Sequence, residues 1–89
     1  MNIGFLGLGK LGLPVSLAVE DKGHKVFGYD ISEQTISDIK NKKIRYREEW
    51  VDKYLPNTKL EITSIDDLVK NSEIIFVPIQ TPHDPAYEG

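Results

Sequence analysis

The sequence contains no cysteine, and this absence removes several functions at once. Without thiols, the 89 residues cannot form a disulfide, a thiolate metal site or a cysteine nucleophile. Proteins that lack disulfides are typical of the cytoplasm, which is the compartment we predict. Long hydrophobic runs are also missing, because glycines interrupt the short apolar start and no basic residues precede it. We therefore predict neither a signal peptide nor a membrane-spanning segment.

The charge balance is mildly acidic, with 11 basic and 14 acidic side chains and a formal net charge of −3. This argues against nucleic acid or an anionic membrane as the main partner, because both attract basic surfaces. Residues 45–50 interleave basic and aromatic side chains, as single-strand binders do, but neighbouring acids cancel their charge. His24 and His83 lie far apart in the sequence, and we predict no metal site.

Short apolar runs alternate with segments of helical periodicity, and this alternation predicts the fold class. The first run, at residues 2–7, is nearly all apolar and predicts a strand buried on both faces. Strands that alternate with helices form right-handed crossovers and a parallel sheet. We predict one α/β domain over residues 1–89: a Rossmann-type parallel sheet, incomplete with about four strands, with helices on both faces. Its switch point is expected between the first and fourth strands.

Periodicity and capping residues define the individual elements. Strands are predicted over 2–7, 25–30, 59–63 and 73–77, the last of them buried, and helices over about 12–22, 32–41, 50–55 and 64–71. The core side of the first helix is expected to carry Leu11, Val15, Ala18 and Val19. Glu20 is expected to face water. Ser32 is predicted to cap the second helix, with Ile31 and Ile36 as a hydrophobic staple.

The strongest functional signal is a Gly-x-Gly-x-x-Gly motif at residues 7–12, between the first strand and the first helix. Asp30 follows eighteen residues after the last glycine, at the end of the second strand. This context is the dinucleotide-binding fingerprint. Gly7 permits the tight turn, Gly9 lets a pyrophosphate approach the backbone, and Gly12 lets the helix pack close to the strand. The amino end of the helix offers N–H groups to the phosphates.

Asp30 also predicts which dinucleotide is bound. A carboxylate at this position accepts hydrogen bonds from the ribose hydroxyls, and it repels the 2′-phosphate of NADP. No arginine follows it, since the next residues are Ile31, Ser32 and Glu33. We therefore predict NAD as the cofactor. Lys10 does not make the loop a P-loop, because the Gly-x-x-x-x-Gly-Lys spacing is missing.

The sequence GLGKLGLP at residues 7–14, with Gly-Tyr-Asp at 28–30, resembles the UDP-glucose/GDP-mannose dehydrogenase family. So does IFVPIQTP at 75–82, where that family places a Thr-Pro pair after its fourth strand. The long segment 41–58 is a further similarity. The resemblance covers the front of the family's cofactor-binding domain.

The resemblance implies roles for individual residues. The backbone of Leu11 would approach the pyrophosphate, Asp30 would bind the adenosine ribose, and Thr81 would contact the nicotinamide half of NAD. Thr35 stands where the family often has a basic residue, and this difference is expected to weaken NAD binding. The candidate cofactor-binding residues are Gly7, Gly9, Lys10, Leu11, Gly12, Asp30 and Thr81.

The resemblance also implies a reaction. The family oxidises the C6 hydroxyl of a nucleotide sugar twice, to a uronic acid, with a catalytic cysteine that has no counterpart in this chain. We therefore expect the NAD-binding portion of such an enzyme, with no catalytic residue of its own and no turnover by the isolated chain. The expected partners are a nucleotide sugar, bound through a missing domain, and further copies of the chain at an open sheet edge.

Two alternatives stay open from the sequence. A dehydrogenase of the hydroxyisobutyrate/6-phosphogluconate type has a similar opening motif, but it lacks the extra segment at 41–58. A stand-alone dinucleotide-binding or interaction module without catalysis would carry the same glycine loop. The reading frame after Gly89 separates an enzyme from a module. A frame that continues into a cysteine-bearing domain favours the enzyme, and a stop codon favours the module.

Overall fold

The four predicted strands form one parallel sheet in the computed structural model, which describes residues 1–46 and 48–78. The strands are β1 (Asn2–Leu6), β2 (Lys25–Tyr29), β3 (Glu61–Ile62) and β4 (Ile74–Phe76). Their order in the sheet is β3-β2-β1-β4, and every neighbouring pair is parallel. The direction of strand addition reverses between β1 and β4, so the predicted Rossmann-type order and its switch point are confirmed.

Helices cover both faces of the sheet, as predicted. They are α1 (Gly12–Asp21), α2 (Glu33–Lys40), α3 (Glu49–Tyr54) and α4 (Ile65–Asn71), with a 3₁₀ turn over Leu55–Asn57 after α3. Ile3 and Phe5 of β1 belong to the same buried cluster as Leu17 of α1. Gly4 points to the opposite face, because a Cβ atom there would meet the side chain of Leu68 in α4. Within the described ranges, none of the helices is both long and apolar enough to cross a bilayer.

Three of the helices begin at a side chain that accepts a backbone hydrogen bond. Ser32 accepts from the N–H of Thr35 at 3.2 Å, Ser64 from Asp67 at 3.2 Å, and Glu48 from Val51 at 2.8 Å. Among the described residues, no side chain caps α1. The first N–H groups of a helix have no intrahelical partner. In α1 the N–H of Leu13 donates to the carbonyl of Gly9 at 2.9 Å and Pro14 has no N–H, so the N–H groups that precede Leu13 are the ones available to a ligand.

The cap at Glu48 gives a direct test of the segment that precedes β3. We expect Glu48→Ala to lower stability by about 0.5–2 kcal/mol, because the N–H of Val51 loses its acceptor. Each kcal/mol lowers the melting temperature of a domain this size by about 4–8 °C, which thermal unfolding would measure. Glu49→Ala is the matched control, since Glu49 is exposed in the first turn of α3 and does not cap it. Equal losses in the two variants would contradict the capping role.

The buried face of α1 differs from the prediction. Leu13, Ser16 and Leu17 are buried against the sheet, whereas Leu11 and Val15 are 49% and 43% exposed. The prediction was wrong for Leu11 and Val15 but right for Val19, which packs against the buried cluster. A single apolar stripe does not describe α1, because the helix contacts both the sheet and α3. Glu20 does not simply face water either. Its carboxylate accepts hydrogen bonds from the Thr58 hydroxyl and from the Lys59 N–H, the latter at 2.7 Å.

Two further expectations were wrong. Ile31 is 90% exposed, so it forms no hydrophobic staple with Ile36. Strand β4 is not a buried strand, because Ile74 and Phe76 are 43% and 45% exposed. Phe76 stacks on the fully buried Phe5 of β1, with ring centroids 5.3 Å apart, but within the described residues β4 has a strand neighbour on one side only. Association of further copies at this edge stays a prediction.

Candidate functional site

The chain turns sharply from β1 towards α1 at Gly7. The φ angle of Gly7 is +127°, a conformation that residues with a Cβ atom rarely adopt. Its N–H donates to the carbonyl of Tyr29 at 2.8 Å, so the turn begins where β2 ends. The next side chain, Leu8, is buried and ties the loop to the core. The loop is therefore held at the carboxyl edge of the sheet, beside the switch point.

The other two glycines of the loop are needed for different reasons. A Cβ atom at Gly12 would collide with the carbonyl oxygen of Gly7, so the start of α1 lies directly against the turn. At Gly9, by contrast, an added Cβ atom would meet nothing within 4 Å. Gly12 thus permits close packing within the protein, whereas Gly9 leaves a bare stretch of backbone facing open space.

Asp30 is anchored to the loop by both of its carboxylate oxygens. Oδ2 accepts from the N–H of Leu8 at 2.8 Å, and Oδ1 accepts from the N–H of Ser32 at 2.8 Å. A carboxylate offers about four lone pairs, so two further hydrogen bonds can be accepted. The arrangement fixes the orientation of Asp30 next to the glycine loop, and it leaves acceptor capacity for hydroxyl groups.

A cavity of about 170 Å³ lies between the loop, Asp30 and the end of β4. It is lined by Gly7, Gly9, Leu11, Gly12, Asp30 and Pro78. The amino end of α1 borders this cavity, and a helix amino end attracts anions through its N–H groups and its dipole. The cavity therefore combines an anion site with a hydroxyl acceptor.

A second cavity, of about 160 Å³, also borders the loop, and Gly9 lines both cavities. Tyr46 lines the second cavity, and the ammonium of Lys10 lies 5.6 Å from the centroid of its ring. The sequence did not indicate Tyr46 as a site residue, because it lies in a segment whose mixed charges suggested an ordinary surface. Only the alternation of basic and aromatic residues at 45–50 was a local signal.

The structure brings six of the seven predicted site residues together at one edge of the sheet. They are Gly7, Gly9, Lys10, Leu11, Gly12 and Asp30. Thr81, the seventh, lies outside the described residues, as do Pro82 and His83.

A glycine loop at the switch point of a parallel sheet, with an acid anchored beside it, defines a dinucleotide-binding α/β domain. The comparison with known families narrows this class further. The family model for the NAD binding domain of the UDP-glucose/GDP-mannose dehydrogenase family matches residues 1–88. The chain belongs to this family.

Individual relatives agree with the family match. The chain is 41% identical to the protein CapL of Staphylococcus aureus over 93% of its own length and 19% of that protein. It is 33% identical to a UDP-glucose 6-dehydrogenase of Rickettsia bellii, over 100% of the chain and 22% of the enzyme. Among solved structures, it is similar to GDP-mannose dehydrogenase of Pseudomonas aeruginosa, with a TM-score of 0.77 and 25% identity over 97% of this chain and 21% of that one.

The chain thus spans about a fifth of the length of these relatives and corresponds to their amino-terminal, NAD-binding part. The match at residues 1–88 includes the segment 41–58, which the hydroxyisobutyrate/6-phosphogluconate alternative lacks. Of the two enzyme families considered from the sequence, the nucleotide-sugar dehydrogenases are therefore confirmed.

Proposed function

We propose that this chain binds NAD as the cofactor-binding part of a nucleotide-sugar 6-dehydrogenase. The single observation that supports this most is the anchored Asp30 beside the glycine loop, because it joins a hydroxyl acceptor to an anion site. In such an enzyme, NAD supplies the hydride acceptor. The residues of this chain bind and orient it.

The local geometry fits the cofactor. The backbone at Gly9 is open, so phosphate oxygens can approach the N–H groups at the start of α1. Asp30 has acceptor capacity for the hydroxyls of the adenosine ribose. Ile31, which follows it, is almost fully exposed and offers an apolar surface in a cavity that Asp30 also lines. We propose that Ile31 contacts the adenine ring.

The choice of NAD over NADP is tested with Asp30. We expect the isolated chain to bind NAD at least about tenfold more tightly than NADP, a difference of 1.4 kcal/mol, because the carboxylate repels a 2′-phosphate. Asp30→Asn should weaken NAD binding and reduce that ratio, since it removes the negative charge and one acceptor. Isothermal titration calorimetry with both dinucleotides measures both effects.

Asp21→Asn is the matched control, because Asp21 is exposed at the far end of α1 and carries the same charge. It should leave both affinities unchanged. Tighter binding of NADP than NAD by the unmodified chain would contradict the role proposed for Asp30.

The isolated chain is expected to be catalytically inactive. It has no cysteine, so it cannot supply the nucleophile that the family resemblance implies for the second oxidation. It also spans only about a fifth of the length of its relatives, so we expect it to lack the sugar-binding residues that the first oxidation needs. Incubation of the chain with NAD and UDP-glucose, GDP-mannose or UDP-N-acetylmannosamine should produce no NADH. A full-length UDP-glucose 6-dehydrogenase, assayed alongside with UDP-glucose, should produce it. NADH formed by the chain with any of these sugars would contradict the proposal.

A further inference from the structure

Lys10 is the only basic side chain among residues 1–21, and it lies within the glycine loop, directly after Gly9. The cavity between the loop and Asp30 has no basic residue in its lining, and Asp30 adds a negative charge. The pyrophosphate of a dinucleotide brings two more negative charges. The helix dipole of α1 offsets only about half a charge, so a full positive charge near the loop would strengthen binding.

The Lys10 ammonium lies over the ring of Tyr46 in this structure. The ammonium is 5.6 Å from the centroid of the ring, which is within the range of a cation–π interaction. The ring itself lines the cavity that Gly9 also borders, next to Leu8 and Leu13. Lys10 itself is exposed, and this contact places its ammonium next to a ring that lines the same cavity as Gly9.

The ring of Tyr46 matters for this contact and its hydroxyl does not. The hydroxyl is buried and has no hydrogen-bond partner among the described residues. Burial raises the pKa of the Tyr46 phenol above its ordinary value, and the nearby carboxylate of Glu48 raises it further. Lys10 thus faces a neutral aromatic ring, and its positive charge is not cancelled by a phenolate.

We infer that Lys10 neutralises the pyrophosphate of the bound dinucleotide and that Tyr46 is a positioning residue, whose ring holds the Lys10 ammonium beside the glycine loop. The inference rests on the proposed function, and it adds to it a side-chain charge and a contact from the segment between α2 and α3. The backbone of the loop and the side chain of Lys10 then approach the phosphates together.

The test compares two ligands that differ in the pyrophosphate: ADP-ribose, which contains it, and adenosine, which lacks it. Binding of ADP-ribose is measured by calorimetry and that of adenosine by saturation-transfer NMR. Lys10→Gln should weaken ADP-ribose binding about three- to tenfold, as expected for the loss of one charge-assisted contact, and leave adenosine binding unchanged. It should also make ADP-ribose binding less sensitive to salt. Lys22→Gln, at an exposed lysine beyond the end of α1, is the matched control and should change neither.

Variants of Tyr46 separate positioning from a structural role. Tyr46→Phe keeps the ring and should bind ADP-ribose as the unmodified chain does. Tyr46→Leu should lose part of the Lys10 contribution, and adding Lys10→Gln to it should then cost less than in the unmodified chain. In NMR spectra, the Lys10 side-chain protons next to the ring should be shifted upfield in the unmodified chain and in Tyr46→Phe, but not in Tyr46→Leu. This signature reports the contact even if Tyr46→Leu is less stable.

The outcomes test the role of Lys10, the role of Tyr46 and the proposed function separately. If Lys10→Gln binds ADP-ribose as tightly as the unmodified chain, the role of Lys10 is wrong although the proposed function stands. If Tyr46→Leu leaves the full effect of Lys10→Gln intact, Tyr46 does not position the lysine. If the unmodified chain binds neither NAD nor ADP-ribose, the proposed function itself is wrong, and this inference with it.

Discussion

Gly9→Ala is expected to weaken NAD binding at least about tenfold, or 1.4 kcal/mol, while leaving the fold intact. The added methyl group meets no protein atom within 4 Å, so nothing inside the molecule opposes it. It does occupy the open space through which a pyrophosphate would reach the backbone. Calorimetry with NAD measures the loss of affinity, and thermal unfolding of the same sample measures stability.

The stability of this variant is part of the prediction. Gly9 does not have a positive φ angle, so alanine fits its conformation. Replacing such a glycine reduces the entropy of the unfolded chain and stabilises a protein by about 0.4–1 kcal/mol. The melting temperature should therefore be equal or higher. Adenosine, which has no pyrophosphate, should bind this variant as it binds the unmodified chain. Unchanged NAD affinity would show that the phosphates do not approach Gly9.

Gly12→Ala is expected to differ from Gly9→Ala in its effect on stability, which should fall strongly. Its Cβ atom would overlap the backbone carbonyl oxygen of Gly7, and backbone cannot move aside as a flexible side chain can. Forcing an extra carbon into a tightly packed site costs about 1–3 kcal/mol. For a domain of this size, each kcal/mol lowers the melting temperature by about 4–8 °C. NAD binding should fall as well, because the turn at Gly7 must shift.

The two glycine variants are controls for each other, since both add one methyl group to the same loop. A loss of binding without a loss of stability is expected only at Gly9. A loss of both is expected at Gly12. If Gly12→Ala melts at the same temperature as the unmodified chain, then the close contact between α1 and the turn at Gly7 is not present in solution.

Much of the candidate site could be predicted from the sequence, because it depends on residues that are close together in the chain. The spacing of Gly7, Gly9 and Gly12 between an apolar run and a helix defines the loop locally, and the structure gives each glycine the geometry expected of it. Asp30 was identifiable because it ends the strand that follows. Ser32 was identifiable as a cap because a cap acts on a residue three positions later.

Other features could not be predicted, because they join residues that are distant in the chain. Tyr46 lies beside Lys10, and Glu20 accepts hydrogen bonds from Thr58 and Lys59, only because the segment between α2 and β3 folds back on the loop and on α1. The periodicity of apolar residues along one segment does not predict contacts between distant segments. The same is true of α1, whose buried face depends on its packing against α3 as well as the sheet.

By itself, the sequence determined the α/β class, the order of the elements and the glycine loop with its acid, since these follow from periodicity, capping and the conformational needs of glycine. The tertiary structure alone decided that, within residues 1–46 and 48–78, Ile74 and Phe76 of β4 are exposed, and that an aromatic ring lies next to the lysine of the loop. The physical reason is that burial and cation–π contacts depend on which distant surfaces meet, and that depends on the packing of the whole chain.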